Sequence, residues 1–122
     1  MNDDVRASVR GQAPRTYPDI VHDQQGPLWY RGLALEPDTF APQVDEILAA
    51  QKARAIVVGH SIVTGAIGVR FNGRVFLIDT GMQPSYVSNG KPSALEITGQ
   101  TFTAIYPDRR EVLAGGTTEI VR

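Results

Sequence analysis

At 122 residues the chain has the length of one ordinary domain, and 42% hydrophobic with 20% charged residues suits a packed core rather than a disordered tail. A formal net charge of −1 gives no broad attraction to nucleic acid or acidic lipid, and no run approaches the roughly 18 apolar residues of a membrane span. The absence of cysteine excludes disulfides, thiolate metal sites and cysteine nucleophiles. Neither nucleic acid nor a membrane is therefore expected as a partner. The compartment is not legible, and cytoplasmic is only the default.

The first 25 residues are polar and form their own segment. Asn2-Asp3-Asp4 can cap a short helix with Val5 and Val9 on one face and Arg6 and Arg10 toward its end. Gly11, Pro14 and Pro18 break that pattern, so residues 11–25 read as loop. Residues 26–114 carry the structured domain, and 115–122, beginning Gly115-Gly116-Thr117-Thr118, read as a loose tail.

Within the domain, Phe40, Val44, Ile47, Leu48 and Gln51 follow helical spacing. Asp38 or Thr39 is the expected N-cap, and Pro42 sits in the first turn, where its missing N–H is not needed. Ala55-Ile56-Val57-Val58 follows as a short apolar run that predicts a buried strand ending at Gly59-His60. A helix feeding such a strand is α/β grammar, and ligands gather at the carboxyl ends of these strands. Ile67–Phe71 and Val75–Ile78 then flank Asn72-Gly73 as a hairpin. Ala94–Thr98 and Phe102–Tyr106 flank Gly99-Gln100 as a second hairpin, and Arg110–Leu113 adds an edge strand.

Few residues are placed for chemistry. His60 directly follows a strand and a glycine, where an imidazole emerging at the sheet edge can ligate a metal. A capping or satisfied core histidine is the alternative, and for His22, in a patternless loop, the bland reading prevails. Gly26-Pro27-Leu28-Trp29-Tyr30-Arg31-Gly32 sets an arginine among aromatics, able to present its planar fork to a phosphate. Its alternative is a packed loop with Trp29 and Tyr30 at the core rim and Arg31 solvated. Asp79, after the strand Val75–Ile78, suits turn chemistry better than a partner role in a site. Tyr86, in the loop beyond, lines a pocket or covers the core. Ser61 beside His60 is no nucleophile–base pair, since adjacent residues do not face each other and no Gly-x-Ser-x-Gly elbow exists. Gly65-Ala66-Ile67-Gly68 lacks the Gly-Lys-Ser/Thr ending of a phosphate loop.

Four strings occur in order: Gly26–Gly32, Val57-Val58-Gly59-His60-Ser61, Ile78-Asp79-Thr80-Gly81-Met82 and Pro92-Ser93-Ala94-Leu95-Glu96-Ile97. Together they resemble the C-terminal part of calcineurin-like metallophosphoesterases, in particular the bacterial, Shewanella-like branch of the phosphoprotein phosphatases. The resemblance covers residues from about 26 to 106. It implies hydrolysis of phosphomonoesters, with a phosphoester or phosphoprotein as substrate and a two-metal centre of manganese, iron or zinc. By the resemblance His60 matches the last histidine ligand, Arg31 the arginine that grips the substrate phosphate, and Tyr86 an aromatic residue flanking the pocket. Ser61 stands where the family often has threonine.

The family's earlier strings, Asp-x-His, Gly-Asp-x-x-Asp-Arg, Gly-Asn-His-Glu and a His-Gly-Gly-like string, do not occur. Two cations roughly 3.5–4 Å apart need several carboxylate and imidazole ligands, and one histidine cannot supply them. The expectation is therefore a shortened gene or a piece of a longer enzyme, inactive alone. Its partners would be a missing N-terminal half or, through the exposed sheet, another copy of itself. A separate expectation is a non-catalytic β-rich binding or interaction module, or one half of a split phosphatase. For fold, the expectation is α/β: the C-terminal half of a metallophosphoesterase β-sandwich flanked by helices, its strands here mostly antiparallel.

Overall fold

The computed structural model of the chain describes residues 22–115 together with Arg6 and Arg10. The proposed cap at Asn2-Asp3-Asp4, the residues Val5 and Val9, and the tail beyond Gly115 lie outside the described residues. Internal contacts divide the chain into two units, Met1–Gly32 and Leu33–Arg122.

In the first unit Arg6 is helical, and the Arg10 N–H donates to the Arg6 carbonyl at 3.2 Å. Further along, the Asp23 carboxylate accepts the Gln25 N–H at 2.9 Å, and the N–H groups of Trp29 and Tyr30 both donate to the Gly26 carbonyl. Asp23 thus opens a turn that the Gly26 N–H closes, and the Gly26 carbonyl opens the next one, around Pro27. Leu28, Trp29 and Tyr30 each leave nearly half of their surface exposed.

The second unit is an α+β fold. A single-turn helix α1 (Gly32–Leu35) enters it, and a 3₁₀ turn at Asp38–Phe40 leads into helix α2 (Ala41–Gln51). Strands β1 (Ile56–Val58), β2 (Gly68–Arg70) and β3 (Val75–Leu77) form one sheet in the order β1-β3-β2. Strands β4 (Ala94–Thr98), β5 (Thr101–Ile105) and β6 (Arg110–Ala114) form a second sheet in sequence order. Among the described strands β1 and β3 pair parallel and the other strand pairs are antiparallel.

The start of α2 differs from the expectation. Phe40 occupies the N-cap, without a side-chain cap, and Pro42 lies in the first turn. Asp38 faces Arg70 instead, at 3.6 Å. Arg70 also donates to the carbonyls of Leu33 and Glu36 and lies 4.5 Å over the Phe71 ring. The Asp38 side chain stays 93% exposed, so this pair is a loose surface contact, and the Arg70 fork is spent on the two carbonyls. At the other end Lys52 adopts a left-handed conformation and its N–H closes the helix on the Leu48 and Ala49 carbonyls.

Burial explains the layering. On one face of the first sheet Val75 and Leu77 pack with Phe71 against Val44 and Leu48 of α2. On the other face Phe76 stacks on Phe102 of β5, ring centroids 4.4 Å apart and planes within 14°. Ile67, Ala104 and Tyr106 form a second cluster with Ile78, Leu95 and Leu113 around them. The Tyr106 hydroxyl accepts the buried Ile67 N–H at 2.9 Å, so its polar end is satisfied inside the cluster. Helix, first sheet and second sheet are three layers, and β3 is buried on both faces because it is the middle of the middle layer.

Both hairpins form where their turn residues predict. The Asn72-Gly73 turn is wider than a two-residue loop: β2 and β3 close at the Arg70–Val75 pair, and Phe71 joins Asn72 in a left-handed conformation. Phe71 tolerates this because its ring is buried near Phe40. Gly99-Gln100 closes β4 on β5 at the Thr98–Thr101 pair. The apolar run at 55–58, by contrast, is not a fully buried strand. Val57 is 43% exposed, because β1 is an edge of its sheet.

Removing the ring that joins the layers is expected to cost most. Phe76→Ala should destabilise the second unit by about 3–5 kcal/mol in urea titrations, whereas Val57→Thr at the edge should change stability by less than about 1 kcal/mol.

Candidate functional site

The parallel pairing of β1 and β3 brings two carboxyl ends to one edge of the first sheet. The last pair, Val58 with Leu77, is followed by a hydrogen bond from the Ile78 N–H to the Val58 carbonyl at 2.9 Å. Gly59-His60-Ser61 leaves β1 there, and Asp79-Thr80-Gly81 leaves β3 beside it. The Val63 N–H donates to the Asp79 carbonyl at 2.8 Å and holds the two departing segments together.

His60 has φ 62°, a left-handed conformation that reverses the chain immediately after the strand. It is exposed, and Ser61 next to it is half-buried. A histidine tolerates this region better than a β-branched residue does, and the turn sends the imidazole off the sheet edge rather than into a layer.

Asp79 behaves as a turn former. Its carboxylate accepts the Gly81 N–H at 3.0 Å, closing an Asx turn. Thr80 is fully buried; its hydroxyl donates to the Lys91 carbonyl and lies 2.7 Å from the Ser93 hydroxyl. The Lys91 N–H returns to the Thr80 carbonyl at 3.1 Å, and Gly81 bridges Lys91. The segment 82–90 is thereby pinched at its base into a compact loop. Gly81 has φ 75° and Gly90 lies where a Cβ would come within 2.7 Å of the Gln83 carbonyl, so both ends of the pinch require glycine. Tyr86 rides on this loop with 79% of its surface exposed.

The loop base is also held by charge. The Lys91 ammonium pairs with the Asp108 carboxylate at 3.1 Å and lies 5.4 Å from the Tyr106 ring centroid. Arg109 covers the same ring at 4.3 Å and approaches Asp108 at 3.6 Å. The hydrogen bond from Lys91, foremost, holds the Asp108 carboxyl below its ordinary range.

The structure therefore brings His60 and the loop of Tyr86 to one sheet edge. Arg31 belongs to the first unit, half-buried at the residue before Gly32. Thr80 and Lys91 organise the loop and carried no signal of their own; Thr80-Gly81 after a buried strand was the only trace. Among the described residues no three His, Asp or Glu side chains converge as a metal-holding group. The residues present thus do not by themselves fit a two-metal centre. Among the described residues no helix is long and apolar enough to cross a membrane.

The fold has a counterpart among solved structures. A solved structure of a cold-active protein tyrosine phosphatase matches with a TM-score of 0.61 and 22% identity, covering 93% of this chain and 34% of that one. The chain shares its fold with about a third of a phosphatase. In sequence, an uncharacterized protein of Schizosaccharomyces pombe is 35% identical over 75 residues, which are 61% of this chain and 22% of the yeast protein. No protein-family profile matches the chain. The chain spans about a fifth of the yeast protein and a third of the phosphatase.

Two outcomes follow from the pinched loop. Thr80→Val should cost about 1–3 kcal/mol and accelerate amide exchange at Gly90 and Lys91, since the replacement leaves the Lys91 carbonyl without that donor. Asp108, with its lowered pKa, favours the folded state above the ordinary carboxyl range, and that contribution is lost as pH falls below about 4. An NMR titration should find Asp108 protonating later than a free aspartate, and Lys91→Ala should abolish most of the difference.

Proposed function

We propose that this chain is the C-terminal part of a calcineurin-like phosphoesterase of the phosphoprotein-phosphatase type, acting on phosphomonoesters within a longer protein. The observation that carries the reading is the placement of His60. The Val-Val-Gly-His-Ser string ends a strand at the carboxyl edge of a parallel pair, in a fold shared with part of a phosphatase. Such edges are where α/β sheets bind ligands.

In this reading Arg31 grips the substrate phosphate, its planar fork matching two phosphate oxygens. Tyr86, exposed on its pinched loop, offers an apolar wall beside the same edge. His60 contributes one imidazole toward divalent manganese, iron or zinc. A two-metal centre supplies a water nucleophile and charge stabilisation when complete. The donors among the described residues do not complete one, so no catalytic step is assigned to them.

The purified 122-residue chain, supplied with manganese or zinc, should turn over p-nitrophenyl phosphate no faster than His60→Ala. It should also retain less than stoichiometric metal after gel filtration. Stoichiometric metal with turnover well above the His60→Ala control would overturn the assignment of this chain as an incomplete site.

A further inference from the structure

Two of the chain's three asparagines precede a glycine, Asn72-Gly73 and Asn89-Gly90. This pair of residues carries its own chemistry. With no Cβ on the glycine, its amide nitrogen can reach the side-chain carbonyl carbon of the asparagine and close a succinimide ring. Both asparagines are exposed and both are left-handed, with φ 55° for Asn72 and 63° for Asn89. Backbone conformation therefore does not separate them. The surroundings of the attacking nitrogen do.

At Gly90 that nitrogen is committed. Its N–H donates to the Val87 carbonyl at 2.8 Å, and the residue is buried at the base of the 82–90 loop. A Cβ there would come within 2.7 Å of the Gln83 carbonyl oxygen and 2.9 Å of the Val87 carbonyl oxygen, so the backbone is closely walled where it would have to shift toward the Asn89 side chain. Next in the chain, the Lys91 N–H is fixed on the Thr80 carbonyl. The Gly73 N–H, by contrast, has no hydrogen bond among the described residues. Gly73 is half-buried, and a Cβ placed on it would meet the Ala114 side chain at an ordinary 3.4 Å.

We propose that Asn72 is a site of spontaneous deamidation, and that the pinched loop keeps the same dipeptide at Asn89 unreactive. The Gly73 nitrogen loses its proton to water or hydroxide and bonds to Asn72 Cγ. The bond from Cγ to the side-chain nitrogen breaks, and that nitrogen takes up a proton and leaves as ammonia. Water then opens the succinimide at one of its two carbonyls and yields aspartate or isoaspartate. Water is the only co-reactant, and nothing is oxidised or reduced. The product alters a sensitive place. Residue 72 lines a cavity with Asp38, Arg70 and Arg74, so a carboxylate arises beside two guanidinium groups, and the formal net charge falls by one from −1. Isoaspartate also lengthens the backbone of the turn that leads into β3, the strand buried on both faces. This chemistry belongs to the chain as it stands and is independent of the phosphoesterase reading.

The test holds the full chain folded at mildly alkaline pH and physiological temperature for days and follows both sites by peptide mapping with mass spectrometry. A parallel sample in urea removes the fold. In the folded chain Asn72 should convert faster than Asn89 by about tenfold or more, and in urea the two rates should come within about threefold of each other. Thr80→Val, which loosens the base of the loop, should speed conversion at Asn89 and leave Asn72 unchanged. Lys91→Ala serves the same end if the valine variant does not fold. Equal rates at the two sites in the folded chain, conversion at neither of them, or an undiminished preference for Asn72 in urea would each overturn the proposal.

Discussion

The structure depends on a single short strand that is dry on both sides. β3 contributes Val75 and Leu77 to the helix layer and Phe76 to the second sheet, and all three side chains are buried. Three residues thus join three layers. Each layer is too small to hold alone: α2 is 11 residues, and no strand among the described residues exceeds five. Short elements of this kind gain their stability from tertiary packing rather than from intrinsic propensity. The Phe76–Phe102 stack is the point at which the second sheet becomes part of the same body.

From this constraint the candidate site follows. Because β3 is fixed from both faces, the direction in which the chain leaves it is also fixed. β1 pairs parallel with β3, so both strands deliver their next residues to the same edge. The chain then spends its polar contacts on holding those departures in place, through Asp79 on Gly81 and Thr80 on Lys91 and Ser93. Rigidity at the base of the 82–90 loop leaves its tip free to present Tyr86 to solvent. Side chains meant for recognition are held most accurately when the backbone beneath them has no freedom to relax.

Much of this was legible in the residues, because it rests on local chemistry. The Asn72-Gly73 and Gly99-Gln100 turns, the helical spacing of Val44 and Leu48, the edge strand at 110–114 and the Asx turn at Asp79 need only their neighbours in sequence. The misread features depend on partners far along the chain. An apolar triplet looks the same at a sheet edge as at its centre, so Val57 was read as buried until the order β1-β3-β2 made it an edge. Asp38 or Thr39 reads as the helix cap, yet both fall in a 3₁₀ turn that moves the cap position on to Phe40. For the candidate site, the position of His60 just beyond a strand is legible from Gly59-His60. The buried Thr80 and the Lys91–Asp108 pair were not found, since loop closure leaves no periodicity to read.

Unequal burial within the first sheet also separates two roles that sequence alone merges. Ile56, Val57 and Val58 are alike in hydrophobicity, but only Ile56 and Val58 join the helix-side core, while the Val57 side chain lies on the Phe76 face, 43% exposed. Stability therefore rests on alternate residues of β1 and leaves the intervening one uncommitted. β1 ends at Val58, and the two residues that anchor it to the core also fix where His60, two positions further on, leaves the sheet.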